Sequence, residues 1–148
     1  ARVGGVATNA NAGGGNIIPS VQVNTNHMFG ETQTNDKVRV TNGSGAQSAA
    51  NCALPMVSAL ASTWHGMTTQ SGATTAGTFH NIKLQGSSNA YEQSVAIWHQ
   101  GTNAIGDMVN RYPLVPIITV TAGVPQTWVY ASTNTGPNWN VYCVGFQY

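Results

Sequence analysis

Apolar and polar residues alternate with a period of two in a series of short runs. Lys37-Val38-Arg39-Val40-Thr41 alternates strictly and puts its two cations on one face. Between Phe79 and Leu84, Ile82 and Leu84 fall on one face and Lys83 on the other. Gln93 to His99 turns Val95 and Ile97 inward and Trp98 to the opposite face. Ile17-Ile18 with Val21 and Val23 predicts an opening strand region bent at Pro19, and Leu114–Thr121, Thr127–Ala131 and Trp139–Gln147 complete the set. Alternation of this kind marks strands whose two faces meet different surroundings. The last run is apolar or aromatic on both faces, Val141, Cys143 and Gly145 against Tyr142, Val144 and Phe146. That pattern predicts a strand covered on both sides.

Turn-forming residues separate the runs at Asn42–Gly45, Gly86–Asn89 and Asn134–Asn138. About seven or eight short strands with such turns predict a two-sheet sandwich or jelly roll. Two segments read differently. Ala49–Trp64, rich in Ala, Leu and Met, predicts either a short helix, with Asn51 as cap and Pro55 in its first turn, or a strand with a bend. His65–Thr78, rich in Thr, Gly and Ser, reads as a long surface loop. Residues 1–15 are mostly Ala, Gly and Asn, a composition that is disordered unless something holds it. The expected architecture is therefore all-β: an antiparallel two-sheet, jelly-roll-like sandwich over residues 16–148, preceded by an extended Gly/Ala/Asn-rich arm over residues 1–15. Within that arm, Ala1, Arg2, Val3, Gly4, Gly5 and Val6 are the candidates for assembly contacts.

Charge changes the picture most. Five basic and four acidic residues make up 6% of the 148-residue chain, against about 25% in ordinary soluble domains. Ser, Thr, Asn and Gln supply about a third of the chain instead. A surface of amides and hydroxyls packs against another surface without the desolvation penalty of burying ions. The pattern therefore predicts a protein packed against neighbours and present as a homo-oligomer. Arg2, Lys37, Arg39, Lys83 and Arg111 are scattered, whereas a phosphate track needs clustered cations, so nucleic acid is not an expected partner. No run approaches the roughly 18 apolar residues of a membrane span, and no charged segment leads into an apolar run as in a signal peptide. Membrane insertion is not expected.

Chemistry-bearing constellations are sparse. His27, His65, His80 and His99 form no HxH or HxxxH pair, and no metal is expected. Glu31, Asp36, Glu92 and Asp107 sit in no recognisable acid–base motif. There is no GxSxG elbow, no GxGxxG fingerprint and no GK[ST] after Gly13-Gly14-Gly15. The chain is read as non-enzymatic, without catalytic residues or a cofactor. Cys52 and Cys143 have two readings: a disulfide contributing about 4–5 kcal/mol, or two buried thiols acting as small hydrophobes. The apolar surroundings of both favour the thiols. Asn42-Gly43-Ser44 matches a glycosylation acceptor, with turn chemistry the simpler reason for it.

Trp64, Trp98, Trp128 and Trp139 also carry two readings. Alternation places such rings in the core or at subunit contacts. Alternatively, they form a platform that binds carbohydrate, rings meeting sugar C–H faces beside amides such as Asn140.

As a type, the whole chain resembles the small β-rich virion proteins of tailed phages, above all capsid decoration or cement proteins. The arm at residues 1–15, the few charges and the aromatic closing run Trp139–Tyr148 carry that resemblance, which transfers no functional residue. It implies a jelly-roll-like, often oligomeric domain on the virion surface that clamps capsid subunits with its terminal arm. The competing expectation is a secreted or extracellular lectin, adhesin or receptor-binding module.

Overall fold

The computed structural model describes residues 7–9, 16–18, 20–29, 38–72, 78–88, 94–101, 105–133 and 138–148. They form two antiparallel sheets and one small separate ladder. In the ladder, β1 (Ala7–Asn9) pairs with β2 (Asn16–Ile18). Part of the expected arm is thus a paired strand, while Ala1–Val6 lie outside the described residues.

The first sheet contains β3 (Ser20–Val23), β4 (Asn26–Phe29), β5 (Arg39–Ser44), β7 (Thr63–Gly72), β10 (Ile105–Pro116) and β13 (Asn138–Gln147). The second contains β6 (Gln47–Ala53), β8 (Thr78–Gln85), β9 (Ser94–Gly101), β11 (Thr119–Thr121) and β12 (Val124–Thr133). Strand β13 organises the first sheet. It pairs with β7 along one edge, and on the other with β5 over Asn138–Tyr142 and with β4 over Gly145–Gln147. Strand β12 plays the same part in the second sheet. Its Trp128 pairs with both Asn51 of β6 and Gln85 of β8, so those strands lie on opposite edges.

From residue 39 onward the pairing is nested. β5 pairs with β13, β6 with β12, β7 with β10 and β8 with β9. The outermost strands in sequence pair with each other, and so on inward to the β8–β9 pair. Neighbouring members of this nest alternate between sheets, except β8 and β9, so most connections pass from one sheet to the other.

The core lies between the sheets and includes Leu54, Trp64, Ile82, Leu84, Val115, Val129, Val141 and Phe146, all buried. Burying each such side chain stabilises the fold by about 1.5–3 kcal/mol. Close approach depends on two glycines. A Cβ on Gly66 would lie 2.6 Å from Leu84 Cδ1 of the facing sheet, and one on Gly43 would lie 2.5 Å from the Trp139 ring. Two inward polar side chains bond to the backbone: Trp139 Nε1 donates to Gly45 O at 3.0 Å, and Thr127 Oγ1 to Gln85 O at 3.2 Å.

Several expected elements differ. Ala49–Trp64 is not a helix. Its first residues belong to β6, and two tight turns follow, Val57 N donating to Leu54 O and Ala61 N to Ser58 O. Pairing with β12 outweighs the helix propensity of alanine, and Pro55 disfavours helical backbone at the residue before it. Asn51 is a strand residue opposite Trp128, not a cap. The expected loop at His65–Thr78 is strand through Gly72, where β7 pairs with both β10 and β13. The run Leu114–Thr121 is broken at Ile117-Ile118, and its first part ends a strand that starts at Ile105. Asn42 and Gly43 belong to β5, and the turn falls at Gly45, whose φ is 75°. Of the turn expected at Asn134–Asn138, residues 134–137 lie outside the described residues. Strand β13 is covered on both faces, as its composition predicts.

Candidate functional site

The four tryptophans do not share one surface. Trp64 on β7 is fully buried and Trp139 on β13 is 2% exposed. Both point inward with Thr68 and Val141, so neither ring is open to stack on a ligand. Trp98 lies on β9 opposite Asn81. Trp128 on β12 faces outward: Thr127, Val129 and Ala131 are buried, whereas Trp128 is half-buried and Tyr130 exposed. Exposed Asn51 and buried Gln85 flank Trp128 in register, and Lys83 stands beside Tyr130. This outer patch combines rings with neutral amides. Asn42, of the acceptor pattern, is exposed within β5 and pairs with Asn140.

A second surface forms at one end of the sandwich. Ile117 N donates to Ser62 O, Ser62 N to Gln147 O, and Tyr148 N to Thr25 O. These bonds align the exit of β10, the connection 54–62, the end of β13 and the β3–β4 turn. Around them Val23, Leu60, Leu114, Ile118, Val120 and Tyr148 are exposed, Leu60 by 83%. Ile118 reaches the second sheet by lying over Gly86, where a Cβ would come within 2.6 Å of its side chain. Leu114 occupies a bulge between Tyr112 and Val115 and has a φ of 60°. That left-handed backbone is disfavoured for leucine and turns its side chain to solvent, while Val115 enters the core. Segments 20–28, 54–66, 112–128 and 143–148, which build this end, hold no Asp, Glu, Lys or Arg. The surface is legible in the sequence only through that lack of charge.

Behind this end runs an inward-facing row of paired residues: Val115, Trp64, Phe146, His27 and Gln22. His27 stacks on Phe146 with centroids 4.8 Å apart, and Tyr148 meets both rings edge-on. Trp64 Nε1, His27 Nε2 and Gln22 Oε1 are buried without a hydrogen-bond partner. On the opposite face of the sheet, His65 Nε2 is in the same condition, and burial pulls the His65 pKa below its ordinary value.

Both cysteines are free thiols, which settles the sequence alternatives. Burial pushes the Cys143 thiol up to about 12 and raises Cys52 as well. Among the described residues no three His, Cys, Asp or Glu side chains gather to hold a metal ion, and no helix is long and apolar enough to cross a membrane. No protein-family model matches the chain, and neither a curated protein nor a solved structure matches it.

Proposed function

We propose that this chain is a structural assembly subunit, in class a virion decoration or cement protein, built on a jelly roll and displayed on the virion surface. The observation that carries the reading is the nested pairing of β5 with β13, β6 with β12, β7 with β10 and β8 with β9, joined to a surface nearly free of ions. A hairpin wound into two sheets has this connectivity, and viral capsid and lectin domains share it. Fold alone does not choose between those uses. The scarcity of charge favours assembly, because neutral groups pair across a large contact without stranding an ion. The reading includes contacts between copies and with capsid subunits, and assigns the chain no catalytic step and no cofactor. Residues 1–15 add backbone hydrogen bonds along a neighbour, as an added strand does.

The test is co-sedimentation of the native protein with a large nucleic-acid-filled particle through a density gradient. Stoichiometric recovery with the particle supports the reading, and recovery as a small free species rejects it. Deleting residues 1–15 removes β1 but no strand of either sheet. That truncation is expected to fold and to incorporate poorly, and unchanged incorporation would reject the role of the arm.

The outward patch of Trp128, Tyr130 and Asn51 favours a second reading, a carbohydrate-binding module. It predicts glycan-array binding that Trp128→Ala abolishes. Binding that survives Trp128→Ala would remove the patch from consideration.

A further inference from the structure

We propose that His80 and His99 form a binding site for a divalent transition metal ion of the Zn²⁺, Ni²⁺ or Cu²⁺ class, with the side-chain oxygen of Gln70 as third donor. The site goes beyond the assembly reading and stands without it. Its basis is register. Strands β8 and β9 pair without a shift from Thr78 opposite Gly101 to Gln85 opposite Ser94, and His80 falls directly opposite His99. Directly opposed residues hold their Cβ atoms about 4.5–5.5 Å apart. At that spacing two imidazoles reach a common ion at about 2.0–2.1 Å. The pair joins distant parts of the chain, so neither HxH nor HxxxH spacing reveals it. His27 and His65 lie in the first sheet and have no histidine opposite them.

The third donor comes from the facing sheet. His80 occupies the face of β8 that bears Ile82 and Leu84, both buried, and β8 has no register shift against β12 either. Leu84 marks the level of the first sheet, since a Cβ on Gly66 would lie 2.6 Å from its Cδ1. Strands β7 and β8 follow one another, joined by residues 73–77. Counting from Gly66 and Leu84 toward that connection sets Thr68 level with Ile82, and Gln70 level with His80. Gln70 is 4% exposed, and its Oε1 is buried without a hydrogen-bond partner. A buried oxygen left unpaired is costly. A cation held by the histidines supplies the missing partner.

Donor chemistry selects the ion. Imidazole nitrogen suits Zn²⁺, Ni²⁺ and Cu²⁺, whereas Mg²⁺ and Ca²⁺ take oxygen. Two imidazoles and an amide oxygen leave a fourth position for water. This donor set needs no group of three His, Cys, Asp or Glu, and none occurs among the described residues. Position sets the consequence. The chain connects β8 to β9 at their Gln85 and Ser94 ends, and the histidines form the third pair from the other end. Strand β9 stands last in the strand order of the second sheet. An ion there ties this strand down at the end its connection leaves free, and so stabilises the fold when bound.

Zn²⁺ titrated into the full chain, followed by calorimetry and by the histidine ring signals in NMR, tests the proposal. One ion is expected to bind per chain, to shift the ring signals of His80 and His99, and to raise the melting temperature. Mg²⁺ is expected to do none of these. His80→Ala and His99→Ala are each expected to weaken Zn²⁺ binding at least about tenfold, while His65→Gln leaves it unchanged. Gln70→Met, which keeps the side-chain length, is expected to weaken it about fivefold. Binding is expected to fall below about pH 6, where protons compete for the imidazoles. Should His80→Ala fail to fold, His99→Ala and the ring signals of the wild type decide. Unchanged binding in Gln70→Met overturns the third donor. Zn²⁺ that shifts only His27 or His65, that binds His99→Ala as tightly as the wild type, that is lost in Cys52→Ser, or that fails to bind at about 1 mM overturns the site.

Discussion

Cys143 lies on the inner face of β13, and its thiol holds its proton up to about pH 12, against an ordinary value of 9.0. Between those values the unfolded chain releases a proton that the native chain keeps. The stability linked to Cys143 is therefore complete below pH 9 and falls by about 1.4 kcal/mol per pH unit above it. Denaturant titrations across that window should show a shallower alkaline decline in Cys143→Ala than in the wild type, and parallel declines would refute the assignment. His65 behaves in the opposite sense. Burial lowers its pKa from 6.5, so its contribution is present above pH 6.5 and is lost as pH falls through the lowered value. His65→Gln should accordingly reduce the loss of stability in mild acid, as read from melting temperature against pH. Gly66→Ala probes packing. The added methyl would lie 2.6 Å from Leu84 Cδ1, and a loss of about 1–3 kcal/mol is expected in equilibrium unfolding.

At the scale of elements, β13 touches three partners and β3 only one. Hydrogen exchange should follow that inequality, slow at Val141 and Cys143 and fast in the β3–β4 hairpin. Equal protection of the two regions would show that the hairpin is as firmly held as the sheet centre. The same contrast explains what the sequence reveals. Strand β8 is legible because Ile82 and Leu84 alternate with Lys83 and the inward face is aliphatic. Strand β7 is not, because its inward positions are Trp64, Gly66, Thr68 and Gln70. Gly66 is there for the approach of Leu84, a requirement set by the facing sheet and invisible in local pattern. Strand β6 is masked by alanines whose helix propensity yields to pairing with β12. The tryptophans are conspicuous in the sequence, but which of them faces solvent depends on register. Once register is known, Trp64 and Trp139 turn inward and Trp128 outward.

For the molecule as a whole, scarcity of charge sets the behaviour in salt. Association through neutral contacts should change little between about 0.1 and about 1 M NaCl, since screening has few ions to act on. Under the proposed assembly role, strong release from the particle by salt would reveal a charged contact instead. Nested pairing sets the kinetics. Ser44 meets Asn138, and such distant contacts place refolding in the range of milliseconds to seconds by stopped-flow fluorescence. The order of the strands has a consequence for the chain as it is made. Among the described strands β13 follows the other twelve, yet β4, β5 and β7 all complete their ladders on it. A nascent chain that has released β4, β5 and β7 still lacks the strand that joins them. The first sheet therefore closes only after residue 147 has left the ribosome, and until then the strand edges that β13 covers stand open. The second sheet, whose described strands all precede β13, is present in the chain before the first sheet can close.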